Sequence, residues 1–210
     1  MIEHLRAAED LIDHLSPEAN RYKASGEPDV VSWARPWRNH TQCASFQTQL
    51  LKHVYDWADD EFFTTHFRSV SPPSRTYRWV FEQRRVPHFA RVDTVADLRA
   101  GDLVVVDYGH REATNTGHIA LVRGTPLLAD DAADEDKAYV VPVADCTADP
   151  HGTSPEFPDS RSPAGQGAGY GHLVFHASPE TGGFAGYAWS VTAQRRHAVA
   201  DRPIVAVRVV

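Results

Sequence analysis

Residues 39–57, NHTQCASFQTQLLKHVYDW, set a cysteine at the mouth of an amphipathic stretch. Thr41 has the short hydroxyl side chain that caps helices, and Phe46, Leu50, Val54 and Trp57 recur along one helical face. The spacing predicts a central, half-buried helix with Cys43 in its first turn. A thiol there feels the positive end of the helix dipole and unpaired backbone N–H groups, both of which favour thiolate. The same position also suits a packed thiol, because free cysteine is among the most buried residue types. The rest of the chain decides between the two.

Toward the amino terminus, Leu5, Ala8, Leu11, Ile12 and Leu15 predict a peripheral helix over 3–15 that stops at Ser16-Pro17. Residues 20–38, with Gly26, Pro28 and Pro36, read as an irregular arm whose Trp33 and Trp37 either line a cleft or pin the arm to the core. Beyond the central helix comes a polar and aromatic connector containing SVSPPSR (69–75). A further helix is expected around SRTYRWVFEQRR (74–85), ending before Pro87.

From residue 97 the period changes. DLRAGDLVVVDY (97–108) has a glycine turn and then a valine run, the mark of a strand buried on both faces. GHIALVRG (117–124) and KAYVVPVADCTA (137–148) are the next strands, joined by the acidic surface loop TPLLADDAADED (125–136). After a Gly-, Pro- and Ser-rich stretch from 150 to 171 come HLVFHA (172–177), GYAWSV (186–191) and PIVAVRVV (203–210). Helices followed by strands predict an α+β fold with an antiparallel sheet packed on the Cys43 helix. No internal repeat interrupts this order.

With 210 residues and 42% hydrophobic content, the chain suits one domain with one core rather than two large ones. Its expected parts are a helix and arm (1–38), a core (39–148), a loop (149–171) and carboxyl-terminal strands (172–210). The net charge of −7, without a basic cluster beyond pairs such as Arg84-Arg85, argues against nucleic acid as the main partner. There is no apolar run long enough to span a membrane, and the opening MIEHLRAAEDLIDHL carries acids where a signal peptide needs a basic and then an apolar stretch. The expectation is a cytoplasmic protein, or one exported by a non-classical route. Cys43 and Cys146, far apart and outside any C-x-x-C pair, are expected as free thiols in a reducing compartment. Asn39-His40-Thr41 fits a glycosylation acceptor, a triplet common by chance.

A nucleophilic Cys43 needs a base, and the candidate is His118 at the entry to its strand. A hairpin whose loop centres near Asp131 sets residues 118 and 145 opposite one another, with Asp145 in reach of the His118 ring. A carboxylate there would hold the imidazole in the required tautomer and stabilise the imidazolium. Asp145 also suits a strand-end turn. Oxyanion donors would be the Cys43 N–H together with a side chain from Gln42, Asn39 or Trp37.

TQCASFQTQLL (41–51), VADLRAGDLVVV (95–106) and GHIALVRG together resemble the NlpC-type branch of papain-like cysteine peptidases, over roughly residues 37–148. The resemblance implies a circularly related papain-like fold, a Cys43–His118 dyad without cofactor, and cleavage or transfer at an amide bond, often in bacterial cell-wall peptides. There are departures. Gln42 stands where many members have Asp, and Asp145 is the expected third group where His is frequent. DCTADPHGTSPEFPDSR (145–161) and GQGAGYGHLVF (165–175) lie beyond the usual core; they resemble a subset with an Asp-Ser-Thr-like tripeptide before a Pro-His-Gly loop, with Cys146 in place of the serine.

Other readings follow from the same residues. An acyltransferase or transpeptidase would use the same triad with an amine resolving the thioester. A toxin that attacks cell-wall peptide, delivered by another machine, would also lack a classical signal. A metal site would draw on His172 and His176, which share a strand face, and on His110 and His118, but no compact ligand motif is present and no metal is expected. A non-catalytic ligand-binding domain would leave Cys43 merely packed, with the 150–171 loop gripping the ligand. Trp33, Trp37 and Trp189, the 150–171 loop, and possible contributions from His151 and His172 are the expected cleft walls. Cys146, on the opposite strand face from Asp145, is expected to be dispensable.

Overall fold

The architecture comes from a computed structural model that describes residues 2–109, 115–129, 137–161 and 165–210. Apolar spacing at the amino terminus forms α1 (Glu3–His14), which buries Leu5, Ala8 and Leu11 and packs on the central helix. The arm after it is more regular than expected. β1 (Asn20–Tyr22), β2 (Val30–Ser32) and β3 (Arg38–Thr41) form a small sheet in the order β1-β3-β2, parallel on one side of β3 and antiparallel on the other. Strands of three or four residues are too short for an alternating pattern to show.

α2 (Cys43–Val54) keeps Cys43 in its first turn but begins one residue later than a Thr41 cap would set it, with Gln42 as the N-cap. The Gln42 N–H donates to the Ser45 hydroxyl at 3.0 Å, whereas the Thr41 hydroxyl donates to Asn39 Oδ1 at 2.8 Å. The helix is buried on more than one face. Phe46, Leu50 and Leu51 are fully enclosed, and each such side chain contributes about 1.5–3 kcal/mol of burial free energy. Trp57 lies beyond its end.

The expected connector contains a helix, α3 (Asp60–Phe67), capped by the Asp59 carboxylate, which accepts from the Phe62 N–H at 2.7 Å, and anchored by buried Phe63 and Phe67. α4 (Ser74–Gln83) follows and ends before Pro87 as expected.

The strands β4 (Phe89–Val92), β5 (Leu103–Asp107), β6 (Gly117–Val122), β7 (Leu127–Leu128), β8 (Lys137–Thr147), β9 (Gly167–Ala177), β10 (Phe184–Ala188), β11 (Arg196–Ala198) and β12 (Ile204–Val209) build a nine-stranded antiparallel sheet. The order is β11-β10-β9-β8-β6-β5-β12-β4, with β7 beside β8. β7 lies in the segment expected as a surface loop; Asp131, on which that loop was centred, lies outside the described residues.

The valine run serves two cores. Leu103 and Val105 join Ile119, Leu121, Val205 and Val207 under the helices, whereas Val104 and Val106 join Ala120, Val122, Leu173 and Phe175 on the other face. Both faces are covered, which is why these strands read as unbroken apolar runs. The fold is α+β, with α2 packed on β6 and β8. No helix among the described residues is long and apolar enough to cross a membrane.

Candidate active site

Packing α2 on β6 brings the first turn of the helix to the first residues of the strand. Gly117 has φ +145°, and a Cβ there would stand 2.1 Å from the Val106 carbonyl oxygen, so the close approach of β6 to β5 demands glycine. Its carbonyl oxygen lies 3.6 Å from Cys43 Sγ, and the Ser74 hydroxyl at the start of α4 lies 3.6 Å from the same sulfur. His118, the next residue, hydrogen-bonds the sulfur as well.

His118 also reaches Asp145, with Nε2 2.5 Å from Oδ2, both side chains buried. The register differs from the expected one. Leu121 pairs with Ala144 and Val122 with Val143, so continuing the ladder sets Thr147 opposite His118 and leaves Asp145 on the diagonal. A two-residue shift keeps every side chain on its face, so the contact forms nonetheless.

With Nε2 engaged by Asp145, Nδ1 is the ring nitrogen left for sulfur. Burial alone would push the Cys43 thiol up; the hydrogen bond and charge of His118 outweigh it, helped by the Ser74 hydroxyl and the Ile119 N–H, and hold the thiol below its ordinary range. Burial works against the His118 imidazolium, but the Asp145 charge and hydrogen bond, with Cys43, push it up to about 9. Burial likewise opposes the Asp145 carboxylate, yet the charges of His151, Arg161 and His118 hold it well below the usual carboxylate range. Cys146 lacks such partners: burial pushes its thiol up to about 12, and its sulfur contacts the Thr41 carbonyl at 3.3 Å.

Asp145 is further gripped from the 148–161 segment. His151 Nε2 lies 2.7 Å from Oδ2, and Arg161 Nη1 donates to Oδ1 at 2.7 Å. Arg161 also donates from Nε and Nη2 to the two oxygens of Asp159, at 3.0 and 2.9 Å. The strand behind makes room by omitting side chains. A Cβ on Gly171 would meet His151 Cδ2 at 2.5 Å, and one on Gly169 would meet the Ser160 hydroxyl at 2.8 Å. The alternation of glycine through 167–171 is the sequence mark of this close approach. The sequence alone does not join His151, Asp159 or Arg161 to Asp145. The segment expected to grip a ligand instead braces the carboxylate, and His151 is only 1% exposed.

Two cavities open beside the Cys43–His118 pair, one lined by Cys43 and the other by His118. One, of about 390 Å³, is lined by Tyr22, Lys23, Gln42, Cys43, Ser74 and Gly117 among others. The other, of about 340 Å³, includes Tyr22, Tyr108, His118, Thr147, Trp189 and Arg202. Larger grooves around Phe89 and around Asp13 contain neither Cys43 nor His118, so chemistry rather than size selects the cleft.

Tyr22, which sequence reading missed, is shared by both cavities, and its hydroxyl reaches the sulfur and the backbone N–H of Cys43. Burial, then the Cys43 charge, raises its phenol above the ordinary range, so it stays a donor. The side chains expected beside Cys43 are placed differently. Gln42 lines the cleft, with its amide donating to the Lys23 carbonyl at 3.5 Å. Asn39 is fully buried, donating to Asn20 Oδ1 at 3.0 Å and to the Cys146 sulfur at 3.6 Å. Trp37 stacks on His14 at 4.6 Å and Trp33 on His53 at 4.5 Å, so both pin the arm to helices. Trp189 does reach the cleft, its ring edge-on to His118 at 4.9 Å.

His118, Asp145 and His151 bring three ligand-type atoms within 4.8 Å of one another. They already touch at hydrogen-bond distance, and Arg161 adds a cation on the same carboxylate, an arrangement suited to shared protons rather than a divalent ion. His172 packs on Phe157 at 5.2 Å, outside this group, and His110 lies outside the described residues. No family model matches the chain, and neither a curated protein nor a solved structure matches it.

Proposed function

We propose that the chain is a cysteine peptidase or amidase of papain-like, NlpC-type arrangement that cleaves an amide bond through Cys43, His118 and Asp145. The observation that carries this reading is the continuous buried line from the Cys43 sulfur through His118 to the Asp145 carboxylate. A thiol merely packed in a core has no use for a base oriented by a buried anion.

The chemistry follows from the positions. The Cys43 thiolate attacks the amide carbon, and the new oxyanion takes hydrogen bonds from the Cys43 N–H and the Tyr22 hydroxyl. His118 then gives its Nδ1 proton to the departing amine, and water activated by the same nitrogen releases the acyl group. The cavity against Cys43 and the one against His118 leave room for the acyl portion and for the leaving group. An amine entering in place of water would make the same site an acyltransferase.

The first test is the pH dependence of iodoacetamide labelling, followed at Cys43 and Cys146 in the wild type and in His118→Ala. A thiol held low beside an imidazole that keeps its proton to about pH 9 exists as thiolate–imidazolium between those two limits. Cys43 is therefore expected to label rapidly below pH 8 and to lose that phase without His118, while Cys146 stays inert. Equal, slow labelling of both thiols would refute the proposal.

Tyr22→Phe removes one oxyanion donor while keeping the ring. Its expected effect is a fall in kcat of about a hundredfold with little change in KM. An unchanged kcat would return the role to Gln42.

A further inference from the structure

Building on the proposed Cys43–His118–Asp145 site, we infer that His151 stands in the resting protein as an imidazolium, a second buried cation on Asp145 that sets how tightly His118 holds its proton. The hydrogen-bond partners require it. His151 Nε2 lies 2.7 Å from Asp145 Oδ2, and its Nδ1 lies 2.9 Å from the Trp189 carbonyl oxygen. A carbonyl oxygen only accepts, and so does an ionised carboxylate; a neutral imidazole has a single N–H and makes only one of these bonds. The alternative, a protonated Asp145 donating to Nε2, would discharge the one anion that Arg161 at 2.7 Å and His118 at 2.5 Å share, and, against burial, those charges help hold the carboxyl well below its ordinary range.

Charge balance leads to the same state. Asp145, Asp159, Arg161, His118 and Cys43 are all buried. With Cys43 and His118 as an ion pair, this set carries one net negative charge if His151 is neutral and none if it is charged. Buried charge without a partner is strongly disfavoured. The other groups around the ring are the His118 imidazolium, 6.0 Å away on the same carboxylate oxygen, with Arg161 and His172, all of which oppose a cation, and Asp159, whose Oδ2 accepts from the His151 backbone N–H at 2.8 Å. The Trp189 ring, with centroids 4.3 Å apart, is an aromatic neighbour that favours a cation.

His151 does not touch the sulfur, so its role is that of a positioning residue acting through Asp145. A buried carboxylate that answered to His118 alone would bind the imidazolium proton too firmly for delivery to a leaving amine. Sharing its charge with His151 and Arg161 weakens that grip and keeps the proton transferable.

The test combines a spectroscopic readout with a titration. Wild-type protein carrying nitrogen-15 in its histidine rings is observed by NMR at neutral pH, with His151→Gln assigning the signal. Two protonated ring nitrogens with slowly exchanging hydrogens are expected for His151; one bare nitrogen overturns the inference. In His151→Gln, which keeps a donor but removes the charge, the pH profile of Cys43 alkylation is expected to shift upward by about one unit or more. The sign follows because losing a nearby cation stabilises the protonated forms of both His118 and Cys43. A profile that superimposes on the wild type also overturns it. The ring-proton readout needs no reactive thiol, so an inert wild-type Cys43 would defeat the proposed function while leaving this inference to be decided by NMR.

Discussion

Under the proposed thiol mechanism, Cys43→Ala is expected to abolish turnover of peptide amides, by at least about a thousandfold relative to the wild type, with the fold intact. Cys43 is 6% exposed and small, so alanine removes little packing. His118→Ala should fall almost as far, because a thiol without its base reverts to an ordinary buried sulfhydryl. Asp145→Asn should retain more, since the amide still occupies the site but no longer stabilises the imidazolium. Steady-state hydrolysis of a peptide panel, with circular dichroism to confirm folding, measures the series. Full turnover by Cys43→Ala would end the thiol mechanism whatever the other variants did.

The second large effect concerns stability. Arg161→Met is expected to cost about 3–5 kcal/mol, because Asp145 and Asp159 would both be left buried with their main cation gone. Arg161→Lys should recover only part of this, as one ammonium cannot reproduce a planar fork that contacts two carboxylates. Denaturant unfolding midpoints at fixed pH give the comparison. A loss below about 1 kcal/mol for Arg161→Met would show that Arg161 is not the cation that keeps these carboxylates buried.

How much was legible in the sequence depends on the range of the signal. The helix at Cys43 and the strands at 103–107 and 117–122 announced themselves through period and through turn residues, because their burial is regular. Their order also pointed to α+β. α3 was hidden because its eight residues carry only two buried phenylalanines and a lone Asp59 cap. Thr41 misled as a cap because propensity ranks it above Gln42, whereas the β3 strand holds its hydroxyl against Asn39.

At the candidate site, the juxtaposition of Cys43, His118 and Asp145 is legible from local position and parity of register. Parity survives a two-residue slip, so the carboxylate was identified through a register that itself was off. Tyr22 and Arg161 could not be found in that way. Tyr22 sits on a three-residue strand far from Cys43 in sequence, and Arg161 on a segment without period, so only tertiary packing reveals either one.

The scattered origin of these groups bears on vectorial synthesis. Cys43 leaves the ribosome well before His118, and His118 before Asp145, the Arg161 clamp and the Trp189 carbonyl that holds His151. Such long-range assembly is slow relative to local folding. A nascent chain therefore carries an ordinary thiol at Cys43, and the proposed activation of that sulfur requires the last strands to have closed behind Asp145.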